Sequence, residues 1–367
     1  MRFLSAHYVF PVSSPPLRNG IVCVGNDGCI VDVIDTGGKL EEREKLEFYN
    51  GILVPGFVNA HCHLELSHLR NAIEPRKGLP DFISSIIKMR KSSPEIIINA
   101  AKAADEEMMK NGIVAVGDIS NYTETIGVKS KSKIRYHTFV ELFGLDSDRS
   151  KEILAAAQLA KNEYYNAGLS ASLAPHAVYS LSEALWETLY QSYKSSPPQI
   201  VSMHHQESEN ENIQPHVLRC LAEASQCLLV HNTFSTEDDL AKYNTTTRRF
   251  YFVLCPSSNL FIQNRLPNLI LYIKQNLCQN ICLGSDSLAS NKKLSILEEM
   301  KVIQLHAPEI PLIMLVQWAT LNGARALGFD DFCGSFEIGK TTGVNLITGI
   351  DFEKMRITEG SGLKVLV

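Results

Sequence analysis

Pro55-Gly56-Phe57-Val58-Asn59-Ala60-His61-Cys62-His63-Leu64-Glu65 is the stretch from which the architecture can be built. Residues 51–58 form an apolar run of the kind that makes a buried strand, and two histidines spaced by one residue follow it. Side chains two apart on a strand point to the same side. His61 and His63 can therefore converge on one ion, and imidazole suits zinc and iron. Cys62 between them faces the other way and is read as packing. A single pair of this kind is a weak signal, because surface histidines two apart are common. Its weight comes from what recurs downstream.

Seven further runs share the plan of a β-branched or apolar stretch followed by polar residues: 112–120, 135–145, 168–180, 200–208, 227–235, 250–259 and 281–291. Helix-period segments lie between them, at 94–111, 150–167, 182–193, 211–226 and 294–306. Strands alternating with helices predict parallel βαβ units. Eight such strands predict an α/β chain with a (β/α)8 TIM-type barrel over 56–328. An open Rossmann-type sheet would want a Gly-rich turn after an early strand, and the sequence has none. The chain ends carry short strands, with Asn26-Asp27-Gly28 as a hairpin signal. Residues 1–55 and 329–367 are expected to pair into one small β-sandwich.

The polar residues gather where the strands end, which in a barrel is the face that bears active sites. His61 and His63 close the first strand, His176 the fourth, and His204, His205 and Glu207 the fifth; His231 lies on the sixth and Asp286 on the eighth. Six of the 11 histidines fall on these ends. His7, His137, His216 and His306 are read as structural, while His68 follows the first strand closely enough to reach a pocket. Taken singly, a strand-end histidine is more often a hydrogen-bonded structural residue than a ligand, and Gly284-Ser285-Asp286-Ser287 could be an ordinary polar turn. Packing alone does not explain the whole set.

Four motifs, PGFVNAHCHLE (55–65), HHQE (204–207), VHNTFS (230–235) and LGSDSLASN (283–291), make the chain resemble the amidohydrolase superfamily, in its mononuclear deaminase branch, over nearly its full length. The resemblance implies that His61, His63, His204 and Asp286 hold one divalent metal ion, zinc or alternatively iron. It casts Glu207 as the acid/base and His231 as a polarising or positioning residue, with His205 turned to the far side of its strand. Binuclear members carry a bridging lysine after a middle strand; the third and fourth strands here end in Glu141 and His176, so one metal is expected. HHQES, CPSSN, DSLASN, Glu298-Glu299-Met300 and a lid-like segment at 82–90 are also similar to aminofutalosine deaminases and relatives acting on adenosine-type thioethers. Those enzymes tend to carry a basic residue where this chain has CPSSN. The implied reaction is hydrolytic deamination of an aminopurine nucleoside or related ring, with His176, Glu65 and His68 against the substrate and a homodimer as the assembly. The alternatives are hydrolysis of a chloro-substituted ring or cyclic amide on the same fold, and a catalytically dead scaffold, which the complete ligand set opposes.

Composition agrees with a globular enzyme: 20% charged and 45% hydrophobic residues. A net charge of −5 gives no reason to expect a nucleic-acid partner, and no apolar run is long enough for a membrane span. No signal-peptide apolar region follows Met1. Nine cysteines without a CxxC pair predict free thiols and a reducing cytoplasm. Residues 129–133 (KSKSK) and 244–249 (NTTTRR) read as solvated loops.

Overall fold

The structure, a computed structural model, describes residues 1–40, 43–209, 211–244 and 249–367. The amino-terminal segment forms strands β1 (Arg2–Val9), β2 (Leu17–Arg18), β3 (Ile21–Val24), β4 (Ile30–Ile34) and β5 (Leu46–Pro55). Eight strands follow: β6 (Phe57–Cys62), β7 (Ile113–Ser120), β8 (Arg135–Leu142), β9 (Ser170–Pro175), β10 (Ile200–His205), β11 (Gln226–His231), β12 (Arg249–Leu254) and β13 (Ile281–Leu283). The chain ends in β14 (Val344–Asp351) and β15 (Arg356–Val365).

The eight middle strands make two four-stranded parallel sheets, β6-β7-β8-β9 and β10-β11-β12-β13. Isolated parallel bridges join their edges on both sides: Cys62 to Asp286 between the first and last strands, and Ala177 to His204 between the fourth and fifth. One apolar cluster draws Val58, Phe139 and Ala174 from the first sheet and Leu228, Val253 and Cys282 from the second, so the two sheets share a core. A larger cluster packs Cys62, Val140 and Leu229 against the helical residues Trp186, Met300 and Val316.

Helices fill the connections. They are α1 (Leu79–Met89), α2 (Pro94–Lys110), α3 (Ile126–Lys129), α4 (Ser150–Asn166), α5 (Glu183–Ser195), α6 (Pro215–Leu221), α7 (Glu237–Asn244), α8 (Pro256–Gln263), α9 (Leu269–Lys274), α10 (Ile296–His306), α11 (Leu312–Ala319) and α12 (Leu321–Ala326). None among the described residues is long and apolar enough to cross a membrane.

Both chain ends enter a single seven-stranded sheet, in which β5 lies between β1 and β14. Its Leu4, Val22, Ile30, Leu53 and Leu346 form a core of their own with Phe336. The expected hairpin is present, with β3 and β4 antiparallel and Gly28 at φ 83°.

The apolar run at 51–58 is not one strand. It divides at Pro55-Gly56, where β5 leaves the terminal sheet and β6 enters the parallel one. Gly56 donates its N–H to the Thr342 carbonyl at 2.9 Å, and a Cβ there would sit 2.4 Å from that oxygen and from Val114. Only glycine fits this crossing point.

The run at 250–259 also divides: β12 ends at Leu254 and α8 begins at Pro256. Proline suits the first helical position, where its missing N–H costs nothing. Helix α6 starts later than the predicted 211 for the same reason, at Pro215, and it ends at Leu221. Residues 129–133 are not wholly solvated: Lys129 is buried, its Nζ 2.6 Å from Asp118 Oδ2 and 3.0 Å from the hydroxyls of Ser120 and Thr138. The expectation for 244–249 falls largely outside the described residues, which omit 245–248. All nine cysteines are free thiols, seven of them buried.

Candidate metal centre and cavity

Each histidine of the set is presented by the end of a parallel strand. The β6–β7 register shifts between Asn59 and Cys62. His61 and His63 bring their Nε2 atoms to 3.1 Å from each other, while Cys62 packs away in the outer cluster. His204 at the end of β10 adds its Nε2 3.3 Å from that of His63. Asp286, just beyond β13, places Oδ1 3.4 Å from His63 Nε2 and 3.6 Å from His61 Nε2. All four side chains are buried.

These spacings fit a tetrahedral metal. Ligand bonds of about 2.0–2.1 Å give ligand–ligand edges of about 3.3–3.4 Å. The electrostatics agree. Burial lowers the pKa of His61 and His204, and burial together with His61 takes His63 down to about 4, so the imidazoles are neutral, as ligands must be. Asp286 is held well below the usual carboxylate range: burial opposes ionisation, but the neighbouring His61, His63 and His231 outweigh it. Three neutral imidazoles beside one carboxylate suit zinc.

Outer contacts aim these groups. His204 Nδ1 donates to the His176 carbonyl oxygen at 3.0 Å, turning Nε2 inward. Asp286 Oδ2 accepts from Ser258 Oγ and from Ser290 Oγ, each at 2.6 Å, leaving Oδ1 for the histidines. His231 Nδ1 is fixed 3.0 Å from Asn259 Oδ1, and its Nε2 lies 3.6 Å from Glu207 Oε1. Ser258 and Asn259 are both in the first turn of α8, a helix that the sequence reading did not identify among the polar residues after the strand. Pro256 was the signal that could have found it. His231 and Asp286 adopt left-handed backbone, with φ of 75° and 55°. Such strain persists where surrounding contacts impose it, and it concentrates at functional sites.

Glu207 is buried, with the Tyr179 hydroxyl donating to Oε2 at 3.3 Å. Its backbone is pinned twice: its N–H donates to Glu211 Oε2 at 3.1 Å, and the Gln263 side-chain amide donates to its carbonyl. His205 faces away, between Asn232 Oδ1 at 2.9 Å and the Tyr243 hydroxyl at 2.7 Å. Glu141 and His176 form a second pair, with Oε1 2.5 Å from Nδ1. Burial opposes both charges, yet their attraction wins, lowering the carboxyl and raising the imidazole. Asn121 donates to the other oxygen of Glu141 at 2.7 Å.

A cavity of about 500 Å³ opens above these groups. Its floor is His63, Glu141, His176, His204, Glu207, His231 and Asp286. Glu65 lines one wall, its carboxylate 3.0 Å from Arg90 and accepting the Asn121 N–H at 2.9 Å; burial pushes it up to about 7 against the pull of Arg90. His68 does not line the cavity. The 3-10 turn at Leu64–Leu69 stacks it one turn beyond Glu65, where its Nδ1 meets the Glu65 carbonyl at 3.0 Å.

The sequence profile of the amidohydrolase family matches residues 52–351. The chain belongs to the amidohydrolase family. Among curated amidohydrolase relatives, a 5-methylthioadenosine/S-adenosylhomocysteine deaminase of Saccharophagus degradans is 26% identical over 96% of this chain and 84% of its own. The adenosine deaminase of Helicobacter pylori is 26% identical over 80% of this chain and 78% of its own. Among solved structures, the Helicobacter pylori aminofutalosine deaminase in complex with methylthio-coformycin superposes with a TM-score of 0.78 at 23% identity, covering 97% of this chain and 94% of that one. The atrazine chlorohydrolase TrzN of Arthrobacter aurescens TC1, complexed with zinc, gives 0.77 at 16% identity, over 99% and 92%. At these identities the solved structures speak to the amidohydrolase fold alone.

Proposed function

We propose that this amidohydrolase is a metal-dependent hydrolytic deaminase of adenosine-type nucleosides, releasing ammonia. The observation that carries the reading is the convergence of Glu207, His231 and Asp286 with His63 and His204 on one cavity floor, with His61 beside them. The names of the curated relatives supply the substrate class. We infer also that the two parallel sheets make one closed eight-stranded barrel over 56–328, and that 1–55 and 329–367 form a small sandwich beside it.

His61, His63, His204 and Asp286 are the residues that would hold the metal, for which zinc is our choice. Bound there, a divalent ion supplies Lewis-acid activation of water, moving its pKa from about 16 toward roughly 7. Asp286, anchored through Oδ2 by two serine hydroxyls, takes the proton of the attacking water. Glu207 gives a proton to the ring nitrogen next to the amino-bearing carbon, which makes that carbon electrophilic. His231, fixed by Asn259, faces the oxygen that develops on the carbon. His176, oriented by Glu141, and Glu65, held by Arg90 and Asn121, contact the substrate. The proton on Asp286 passes to the amino group, which leaves as ammonia, and the remaining hydroxyl proton returns to Glu207 as the ring carbon becomes a carbonyl.

The triazine hydrolases share the fold at 16–17% identity, which carries no argument about the reaction here. Incubation of zinc-loaded protein with adenosine and its 5′-derivatives, with ammonia as the readout, tests the proposal. Metal-replete protein that leaves all of them unchanged would refute it.

A further inference from the structure

One wall of the cavity is a continuous polar belt. Glu65, Asn121, Glu141, His176 and His204 close or follow β6 to β10 in turn, Arg90 comes from the end of α1, and all six line the cavity. Arg90 Nη2 donates to Glu65 Oε1 at 3.0 Å and to Asn121 Oδ1 at 2.6 Å. Asn121 Nδ2 donates to Glu141 Oε2 at 2.7 Å, and Glu141 Oε1 lies 2.5 Å from His176 Nδ1. The His176 carbonyl in turn accepts from His204 Nδ1 at 3.0 Å, and Glu141 Oε1 is 3.7 Å from that same nitrogen. Hydrogen bonds thus run without a break from α1 to one of the four converging donors.

Asn121 is the joint of this belt. A guanidinium only donates and an ionised carboxylate only accepts. An amide between them satisfies both in one orientation, with its oxygen toward Arg90 and its nitrogen toward Glu141. Arg90 is the single lysine or arginine among the described lining residues, so nothing else on the wall can take its place. Without it, Glu65 becomes a second carboxylate seeking a donor, and the Asn121 amide is contested between Glu65 and Glu141. A carboxylate beside the N–H of a metal-binding imidazole fixes the ring and strengthens its donor atom; disturbing such outer groups costs about 10- to 100-fold in metal affinity.

We propose that Arg90 is a positioning residue for the metal centre: by holding Asn121 it keeps Glu141 against His176 and His204, so that the seating of α1 is tied to the grip on the metal. The proposal rests on His204 being a metal donor and not on the reaction assigned above. Helix α1 has other attachments, since Phe82 and Ile86 share an apolar cluster with Leu66, Leu69 and Phe261. Its Ile87 is 64% exposed and takes no part in the belt.

The test is the rate at which the zinc-loaded protein yields its metal to a chelator, with the visible spectrum of the cobalt(II)-loaded protein as a second readout. Arg90→Met should speed zinc release by about 10-fold or more and shift the cobalt bands. Both belt bonds leave one nitrogen, so a lysine ammonium with its three protons can serve them, and Arg90→Lys should restore most of the wild-type behaviour. Asn121→Leu should match Arg90→Met, and the double variant should be no worse than the poorer single one, because the two residues act in series. Should Arg90→Met fold poorly, Asn121→Leu carries the comparison alone. Ile87→Ala disturbs the open face of the same helix and should leave both readouts unmoved. Wild-type zinc release and an unaltered cobalt spectrum in Arg90→Met would overturn the proposal. So would a double variant whose effect is the product of the single ones, or an Ile87→Ala protein that loses zinc as fast as Arg90→Met. Wild-type protein that holds no metal would instead remove the ligand assignment, and this inference with it. Ammonia release enters neither readout, so the deaminase reading and this proposal can fail separately.

Discussion

Lys129→Met probes the most deeply buried lysine–carboxylate pair among the described residues. Methionine keeps the length of the side chain and deletes its ammonium, which lies 2.6 Å from Asp118 and 3.0 Å from Ser120 and Thr138, with no solvent exposure on either charged partner. Burial pulls the lysine toward neutrality, but Asp118 outweighs it, so the group is charged in the wild type. Asp118 would then be a buried carboxylate supported only by Ser120 Oγ at 3.2 Å and the Leu64 N–H at 2.7 Å. Removing one partner of such a pair costs about 3–5 kcal/mol. The assay is urea unfolding of the zinc-loaded protein, read as the shift in midpoint at constant slope. The double variant Asp118→Asn with Lys129→Met removes both charges and keeps an oxygen for Leu64, so most of the loss should return. A single variant that loses less than about 1 kcal/mol, or a double variant weaker than the single, would refute the reasoning. Because Leu64 sits between His63 and Glu65, the single variant should also give up its metal faster during dialysis against a chelator.

Glu207→Gln should retain one equivalent of metal by elemental analysis yet lose 100-fold or more of turnover, the usual order for a general acid/base; loss of metal would contradict its role. His204→Ala should bind metal poorly, since its Nε2 is one of the four converging donors, and stoichiometric metal in that variant would contradict the ligand assignment. Glu211 is pushed up to about 7 by burial and then by Glu207, so the folded chain keeps its proton where the unfolded chain, near 4.5, releases it. Its stabilising contribution is complete below that lower value and is lost as pH rises through the upper one. Urea midpoints should therefore fall between about pH 5 and 7, and Glu211→Gln should flatten the decline; an unchanged slope would show that another group governs it. Gly56→Ala should destabilise by about 1–3 kcal/mol, as overpacking does, because the added carbon meets Thr342 and Val114 at 2.4 Å. An unaltered melting temperature would contradict that.

The alternation of apolar runs and helical segments was legible in the sequence because it follows from burial, and the strands lie where those runs are. The ends were less legible. Apolar content does not mark the point where backbone pairing stops, so 51–58 read as one strand although Pro55-Gly56 passes the chain from one sheet to another. His61, His63, His204 and Asp286 were legible because ligand chemistry restricts residue type. Ser258, Ser290, Asn259 and Tyr179 were not, since serine, asparagine and tyrosine serve too many purposes; only the folded chain brings two hydroxyls onto Asp286. Lys129 misled for a related reason. A lysine in a run of charge is ordinarily solvated, and what buries this one is Asp118, eleven positions away and identifiable as its partner only in three dimensions.

Helix α8 touches nearly everything that matters. Within eight residues it holds Asp286 through Ser258, His231 through Asn259 and Glu207 through Gln263, while the carbonyls of Phe261 and Ile262 receive the N–H groups of Arg76 and Gly78 just ahead of α1. Two turns of backbone thus act as a jig. Deleting a single residue there would rotate every attachment at once, misaligning chemistry and entrance together. The opposing rim of the cavity is held differently, by the two backbone hydrogen bonds that Gly144, between Phe143 and Leu145, makes with Ser180 and Ser182.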